Sequence, residues 1–309
     1  SGPRVVTSVT RGHADMYKVT PTKGMPYTCN VDHVLALTRT PEIKGQDTKY
    51  LTMTVEEYLK CSAWRKHTLK GYRTGVHFPP TTTVTVGPYY LGIWLGDGTS
   101  TRPTVTSQDP EIETAVMQEA ERWGLRYMKR PDNNCWSHHI LRQPGDQNNT
   151  LLDELRDLGV IGDKHIPHHY LTGSAHTRLQ LLAGLLDTDG SLSGNGYDFI
   201  NIVPQLSEQV AFLARSLGLA AYVTQCEKTC CNNGVVGTYY RVSISGDTNN
   251  IPCRIARKKA SPRKQVKNPL VTGIKVEPIG KGDYYGFTLN GPAFRSQWRE
   301  SPSRLVSLH

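Results

Sequence analysis

No stretch of the 309 residues comes near the roughly 18 to 20 consecutive apolar positions that a membrane-spanning helix needs. Residues 1–30 also lack the charged, apolar and small-residue regions of a signal peptide. The expectation is a soluble, unexported chain. There are seven cysteines, an odd number scattered without a paired framework. That fits free thiols in a reducing compartment better than a disulfide-stapled secreted scaffold. Acidic residues are the minority, 27 against 36 Lys plus Arg, for a net charge of +9. Such an excess makes a polyanion the leading partner class without specifying a fold.

What is present falls into three segments. Residues 4–38 carry short β-branched runs between turn residues, the pattern of an antiparallel β region. TVEEYLK from Thr54 has an acidic first turn and periodic apolar positions, predicting a short helix. A proline pair and a threonine run, FPPTTTVTV at 78–86, mark a boundary. From 87 to about 220 helices alternate with strands, and one unit occurs twice. LGIWLGDG at 91–98 leads to a helix over Asp109–Leu125, and LAGLLDTDG at 182–190 leads through SLSGNGYDFINIV to a helix over Pro204–Leu219. A basic stretch, RIARKKASPRKQVK at 254–267, and a β-prone tail with LVTGIKVEPI and YYGFTL follow. The first and last segments match in type, as expected of one β domain interrupted by the repeated unit. The expected domains are 1–79, 80–267 (with halves at about 87–150 and 151–267) and 268–309.

In each copy an apolar helix carries small residues on one face, Gly92 and Gly96 in the first, Ala183 and Gly184 in the second. Two such helices can approach closely, and each ends in Asp-Gly. Packed side by side they bring Asp97 and Asp189 out at one end, with the terminal glycines expected in the left-handed cap conformation. Adjacent carboxylates repel and call for a counter-cation. Short acidic oxygens completed by waters and phosphate suit Mg²⁺, which lowers the pKa of a bound water and stabilises a leaving oxygen. The chemistry expected is phosphodiester hydrolysis.

LAGLLDTDG differs at two positions from the signature of the LAGLIDADG homing endonucleases, and YLGIWLGDG at 90–98 resembles a more degenerate first copy. The resemblance implies an α/β fold, a duplicated αββαββα domain with pseudo-twofold symmetry whose motif helices form the interface. It places divalent metal, Mg²⁺ or Mn²⁺, on Asp97 and Asp189 with Gly96 and Thr188 beside them. Asp187, where the first copy has Leu95, receives a structural or outer role.

The chain also resembles inteins of fungal nuclear genes, of the type found in the yeast vacuolar ATPase. TCNVDH at 28–33 is similar to their block B, with His33 assisting the N-terminal acyl shift and Asn30 in the usual threonine position. KGDYYGFTL at 281–289 is similar to block F, with Asp283 in the conserved stretch. The implied architecture is an endonuclease domain inserted in an all-β, Hint-like splicing domain. Such enzymes carry a lysine before the second motif, here Lys164 in LGVIGDKHIP. They carry another after the second half's strands, here Lys259 in RKKASPR, with Lys258 as the alternative. Either lysine would polarise the attacking water or stabilise developing charge.

The family's strands form a saddle on the major groove of double-stranded DNA, which places Arg126, Lys129, Arg130, Arg142, Lys228, Arg241, Arg257, Lys258, Arg263 and Lys264 at the DNA. Arginine can read guanine edges there, and lysine mostly meets phosphate. The implied protein is a monomeric, site-specific double-strand DNA endonuclease, nuclear or otherwise intracellular in a fungal-like host, leaving 3′ overhangs at a long asymmetric site. Ser1 followed by GPRVV, and His309 with no asparagine after it, do not match the splicing nucleophiles, so Asn30, His33 and Asp283 are expected to be vestigial. The alternatives are a splicing element with a decayed nuclease and a DNA-binding remnant without chemistry. On the residues alone, DTDGSLSGNGYD also suggests a calcium loop, though Leu192 stands where glycine belongs and Asp198 where glutamate does. Cys226, Cys230 and Cys231, and His165, His168 and His169, suggest zinc, but without a paired C-x-x-C arrangement.

Overall fold

The structure is a computed structural model that describes residues 5–40, 50–79, 83–229, 236–264 and 267–290. Pro80–Thr82 of the expected linker, Cys230, Cys231, Ser1 and His309 lie outside the described residues. The chain forms two compact units, one of residues 74–267 and one of residues 2–73 with 268–309.

The β-rich unit begins with β1 (Val6–Pro21), β2 (Tyr27–Asn30), β3 (Val34–Arg39) and β4 (Tyr50–Thr54). Two short helices, α1 (Val55–Lys60) and α2 (Ala63–Thr68), and β5 (Leu69–Tyr72) follow. Helix α1 starts where the sequence predicts it. The Thr54 hydroxyl accepts from the Glu57 amide, and Glu57 accepts from the Thr54 amide, a reciprocal cap of two otherwise orphaned donors.

In the central unit α3 (Pro88–Asp97), β6 (Thr104–Ser107), α4 (Pro110–Arg122), β7 (Arg126–Asp132), β8 (Cys135–Leu141) and α5 (Thr150–Asp157) make the first half. After the short α6 (His168–Leu171), the second half comprises α7 (Ala175–Thr188), β9 (Gly190–Ser193), β10 (Gly196–Asn201), α8 (Pro204–Ser216), β11 (Ala220–Thr229) and β12 (Val236–Ser245). The chain returns to the β unit as β13 (Val271–Thr272) and β14 (Ile274–Leu289). Among the described residues no helix is long and apolar enough to cross a membrane.

Among the described residues all strand pairings are antiparallel. In the β unit the sheet orders are β14-β1-β2 and β13-β5-β3-β4, so the last strands pair with the first, over a core of Val19, Leu35, Leu37, Val55, Tyr58 and Leu69. The two halves of the central unit have matching sheets, β6-β8-β7 and β9-β10-β12-β11. The first strand of the first half is reduced to one bridge, Gly98 to Val105, and the last helix of the second half to a 3₁₀ turn at Thr248–Asn250.

Helices α4 and α8 each open on proline at the first turn, where its missing N–H costs nothing, and close on a left-handed glycine, Gly124 (φ 65°) and Gly218 (φ 83°). The motif glycines behave otherwise than expected. Gly98 is extended (φ −77°) and Gly190 is not left-handed. They are glycine because a Cβ would lie 2.3 Å from the Trp94 carbonyl oxygen and 2.5 Å from that of Leu186.

Candidate active site

Every residue from Tyr89 to Leu95 in α3 and from Leu181 to Asp187 in α7 is buried. The two helices cross glycine on glycine. A Cβ on Gly92 would stand 2.4 Å from the Leu181 oxygen, one on Gly184 2.3 Å from the Tyr89 oxygen, and one on Gly96 2.0 Å from Thr188 Oγ1. Backbone therefore rests on backbone, closer than helices with side chains between them pack. The small residues that meet are Gly92, Gly96 and Gly184, with Thr188 facing Gly96.

This crossing delivers both helix ends to one place. Asp97 is exposed as a residue, yet enough protein surrounds its carboxyl to push the pKa up to about 6, burial first and the charge of Asp189 second. Asp189 is half-buried and its carboxyl is likewise raised by burial, opposed by a hydrogen bond from Asn201 Nδ2 to Oδ2 at 2.9 Å. A lysine sits at each helix end. Lys164 Nζ donates to the carbonyls of Gly96 (3.0 Å) and Gly98 (2.6 Å), and Lys258 Nζ to those of Asp187 and Thr188 (both 2.7 Å). Terminal carbonyls lack helical partners and carry the negative end of the dipole, so an ammonium there is favoured. Burial lowers the pKa of both lysines, and the aspartates oppose it. Lys259, the residue preferred from sequence, is exposed and is not brought to the helix end; Lys258 is.

Several supports were not foreseen. Asn201 and Ser107 occupy the same place in the two repeats, three residues before the helix-opening proline. Each accepts from the amide two residues on, but only Asn201 also reaches its motif aspartate. Aligning the two copies would have singled it out. Tyr197 grips the Lys258 carbonyl through its hydroxyl (2.5 Å) and accepts from the Ala260 amide (3.2 Å), setting the lysine's segment. Asp187, 2 % exposed, accepts from the Tyr89 hydroxyl of the opposite motif helix (2.7 Å) and from the Arg254 amide (2.6 Å). It ties the helices together beneath the site.

The expected DNA-contacting residues divide. Tyr127 and Lys129 both reach Glu113 of α4, so alternation puts Arg126 and Arg130 on the opposite, helix-free face of β7. Lys129 is turned inward by its 2.6 Å ion pair with Glu113 and lies 4.6 Å over the Trp136 ring. Val242 and Ile244 point into the core, which leaves Arg241, and Lys228 on the paired strand, on the helix-free face of the second sheet. Arg142 donates to the Asp146 and Gln147 carbonyls, and Arg263 to that of Lys267. Lys264 is exposed. Arg257 is engaged by Asp109 and Lys258 by the helix end.

In the β unit Asn30 and His33 form a turn, His33 N donating to Asn30 O at 3.2 Å, while Asp283 pairs with His13 at 2.8 Å. Asn30 stands opposite Met16 on β1 and Asp283 opposite His13, roughly 10 Å further along the strand, so the structure does not bring them together. The calcium-loop segment is instead the β9–β10 hairpin, with Asp198 accepting from Ser243. Among the described residues no three His, Cys, Asp or Glu side chains are grouped to hold a metal.

Two matched helix–hairpin–helix–hairpin halves, crossing on glycine and ending in paired acids and lysines, define a duplicated α/β domain. Residues 165–270 match the family model described as homing endonuclease. The chain is 27 % identical to the homothallic switching endonuclease of Saccharomyces cerevisiae over 266 residues, covering 72 % of this chain and 44 % of that protein. It is 40 % identical to the replicative DNA helicase DnaB of Mycobacterium intracellulare over 140 residues, 45 % of this chain and 20 % of that one. The chain thus spans less than half the length of either curated relative. It also resembles mesophilic variants of the homing endonuclease I-DmoI at 12 % identity, over 52 % of this chain and 88 % of that one, with a TM-score of 0.39.

Proposed function

We propose that the chain is a site-specific endonuclease that hydrolyses both strands of double-stranded DNA. The observation that carries this reading is the pair of aspartates at adjoining helix ends, each accompanied by a lysine. Two carboxylates at adjoining helix ends, with the charge of Asp189 helping to raise the pKa of Asp97, fit a divalent cation, Mg²⁺ or Mn²⁺, that Asp97 and Asp189 would hold; the Gly96 and Thr188 carbonyls of the expected ligand set accept instead from Lys164 and Lys258. With no third acidic or imidazole group at hand among the described residues, waters and phosphate oxygens would complete the shell, as Mg²⁺ prefers. When bound, the metal supplies a lowered water pKa and positive charge for the leaving oxygen.

The protein's own groups do the rest. Asn201 holds the Asp189 carboxylate in one orientation. Lys164 and Lys258 hold positive charge where charge develops on each scissile phosphate. Arg126 and Arg130 on one sheet, Lys228 and Arg241 on the other, meet the backbone and base edges. The products would carry 3′ overhangs and the enzyme would act as a monomer. The β unit, whose first and last segments share sheets, we read as Hint-like.

The test is incubation of the full chain with Mg²⁺ and DNA of the uninterrupted host gene. Cutting at the insertion point by wild type, abolished in Asp189→Asn, is expected. Identical behaviour of wild type and variant would overturn the reading.

A further inference from the structure

Each lysine docks on one motif helix, Lys164 from the connection between α5 and α6 onto the end of α3 and Lys258 onto the end of α7, and each lysine segment is also held by the half that does not carry that helix. Arg257, next to Lys258, makes a two-pronged ion pair with Asp109, the residue that caps α4 in the first half: Nη1 to Oδ1, and Nη2 to Oδ2 at 2.9 Å. A planar guanidinium on both carboxylate oxygens fixes orientation as well as distance. Arg254, four residues before Lys258, lies 3.7 Å over the Tyr89 ring of α3. The reverse contact exists too. Gln209 of α8, in the second half, accepts from the Ile166 amide (2.8 Å) and donates to the Ile166 carbonyl (3.1 Å), clamping the loop two residues beyond Lys164.

We propose that the halves cross-lock, the first half positioning Lys258 through Asp109 and Arg257, and the second half positioning Lys164 through Gln209. Each lysine site is then complete only when the opposite half is docked. Asp109 and Gln209 are positioning residues, and the proposal rests on the nuclease reading only for its catalytic consequence. Asp109 separates this role from DNA contact, since losing an acid frees Arg257 and cannot weaken its grip on phosphate.

Two measurements on the full chain test it. With duplex target labelled separately on each strand, Asp109→Asn should slow one strand roughly tenfold or more and Gln209→Ala the other, because misplacing a group by about 1 Å is worth that much. The Asp109→Arg, Arg257→Asp double variant should recover part of the first loss. Without DNA, amine acylation read by mass spectrometry should rise severalfold at Lys258 in Asp109→Asn and at Lys164 in Gln209→Ala, each without change at the other lysine. Equal slowing of both strands, or labelling that rises at both lysines or neither, overturns the proposal. A wild type that labels as expected but cuts no DNA overturns the nuclease reading instead.

Discussion

Replacing Gly184 by alanine sets two effects of opposite sign against each other. In a helix interior alanine is favoured over glycine by about 0.8–1 kcal/mol. Here the new methyl would stand 2.3 Å from the Tyr89 oxygen, 2.9 Å from the Ile93 nitrogen and 3.0 Å from the Gly92 Cα, where ordinary contact begins at 3.4 Å. All three are backbone atoms of the facing helix, so no side chain can swing aside and the helices must part by about 1 Å. Overpacking of this kind costs roughly 1–3 kcal/mol and outweighs the propensity gain. A net loss of about 1–2 kcal/mol is expected in urea unfolding, read as a lower midpoint at unchanged slope. Cleavage should fall further than stability does, because the same movement draws Asp189 away from Asp97. A gain near 1 kcal/mol with cleavage intact would refute the backbone contact and the site geometry built on it.

Lys258→Met should slow cleavage on one strand by a factor of ten or more while Lys259→Met leaves both strands near wild type, measured on strand-labelled DNA. Because the folded pKa of Asp97, about 6, exceeds its ordinary 3.8, the native state retains a proton that the unfolded chain has released. Wild type should therefore lose stability relative to Asp97→Asn as pH rises from about 4 to about 6 and not beyond, a gap that thermal melts without metal would show and added Mg²⁺ would close. Arg178, 1 % exposed, donates to Gly173 O, Ser216 Oγ and Val76 O without a carboxylate. Arg178→Met should destabilise by roughly 2–5 kcal/mol in urea melts, since two buried acceptors and one part-buried acceptor lose their donor.

The motif helices were legible because their apolar runs and terminal acids repeat, and a repeat is a pattern one chain can display by itself. The choice between Lys258 and Lys259 was not, since adjacent lysines differ only in which way the 3₁₀ turn at Ala256–Lys258 faces them, and that turn is set by Tyr197, some sixty residues earlier. Lys129 and Arg130 look alike as basic strand residues. Their separation depends on strand parity, which Glu113 of the covering helix decides. The pairing of Asp283 with His13 joins the two ends of the chain through the β1–β14 register, a partner that no local pattern announces.

The glycine-on-glycine crossing has a consequence for how such a protein could change. Two polypeptide backbones already in contact set the spacing of the acids, so no side-chain exchange along the helices can bring them nearer, and any larger residue only spreads them. On the proposed nuclease reading, the distance between the cuts in the two strands would in that sense be a constant of the fold. New target preferences would have to arise on the sheet faces that carry Arg130 and Arg241, leaving the geometry of the break as it was.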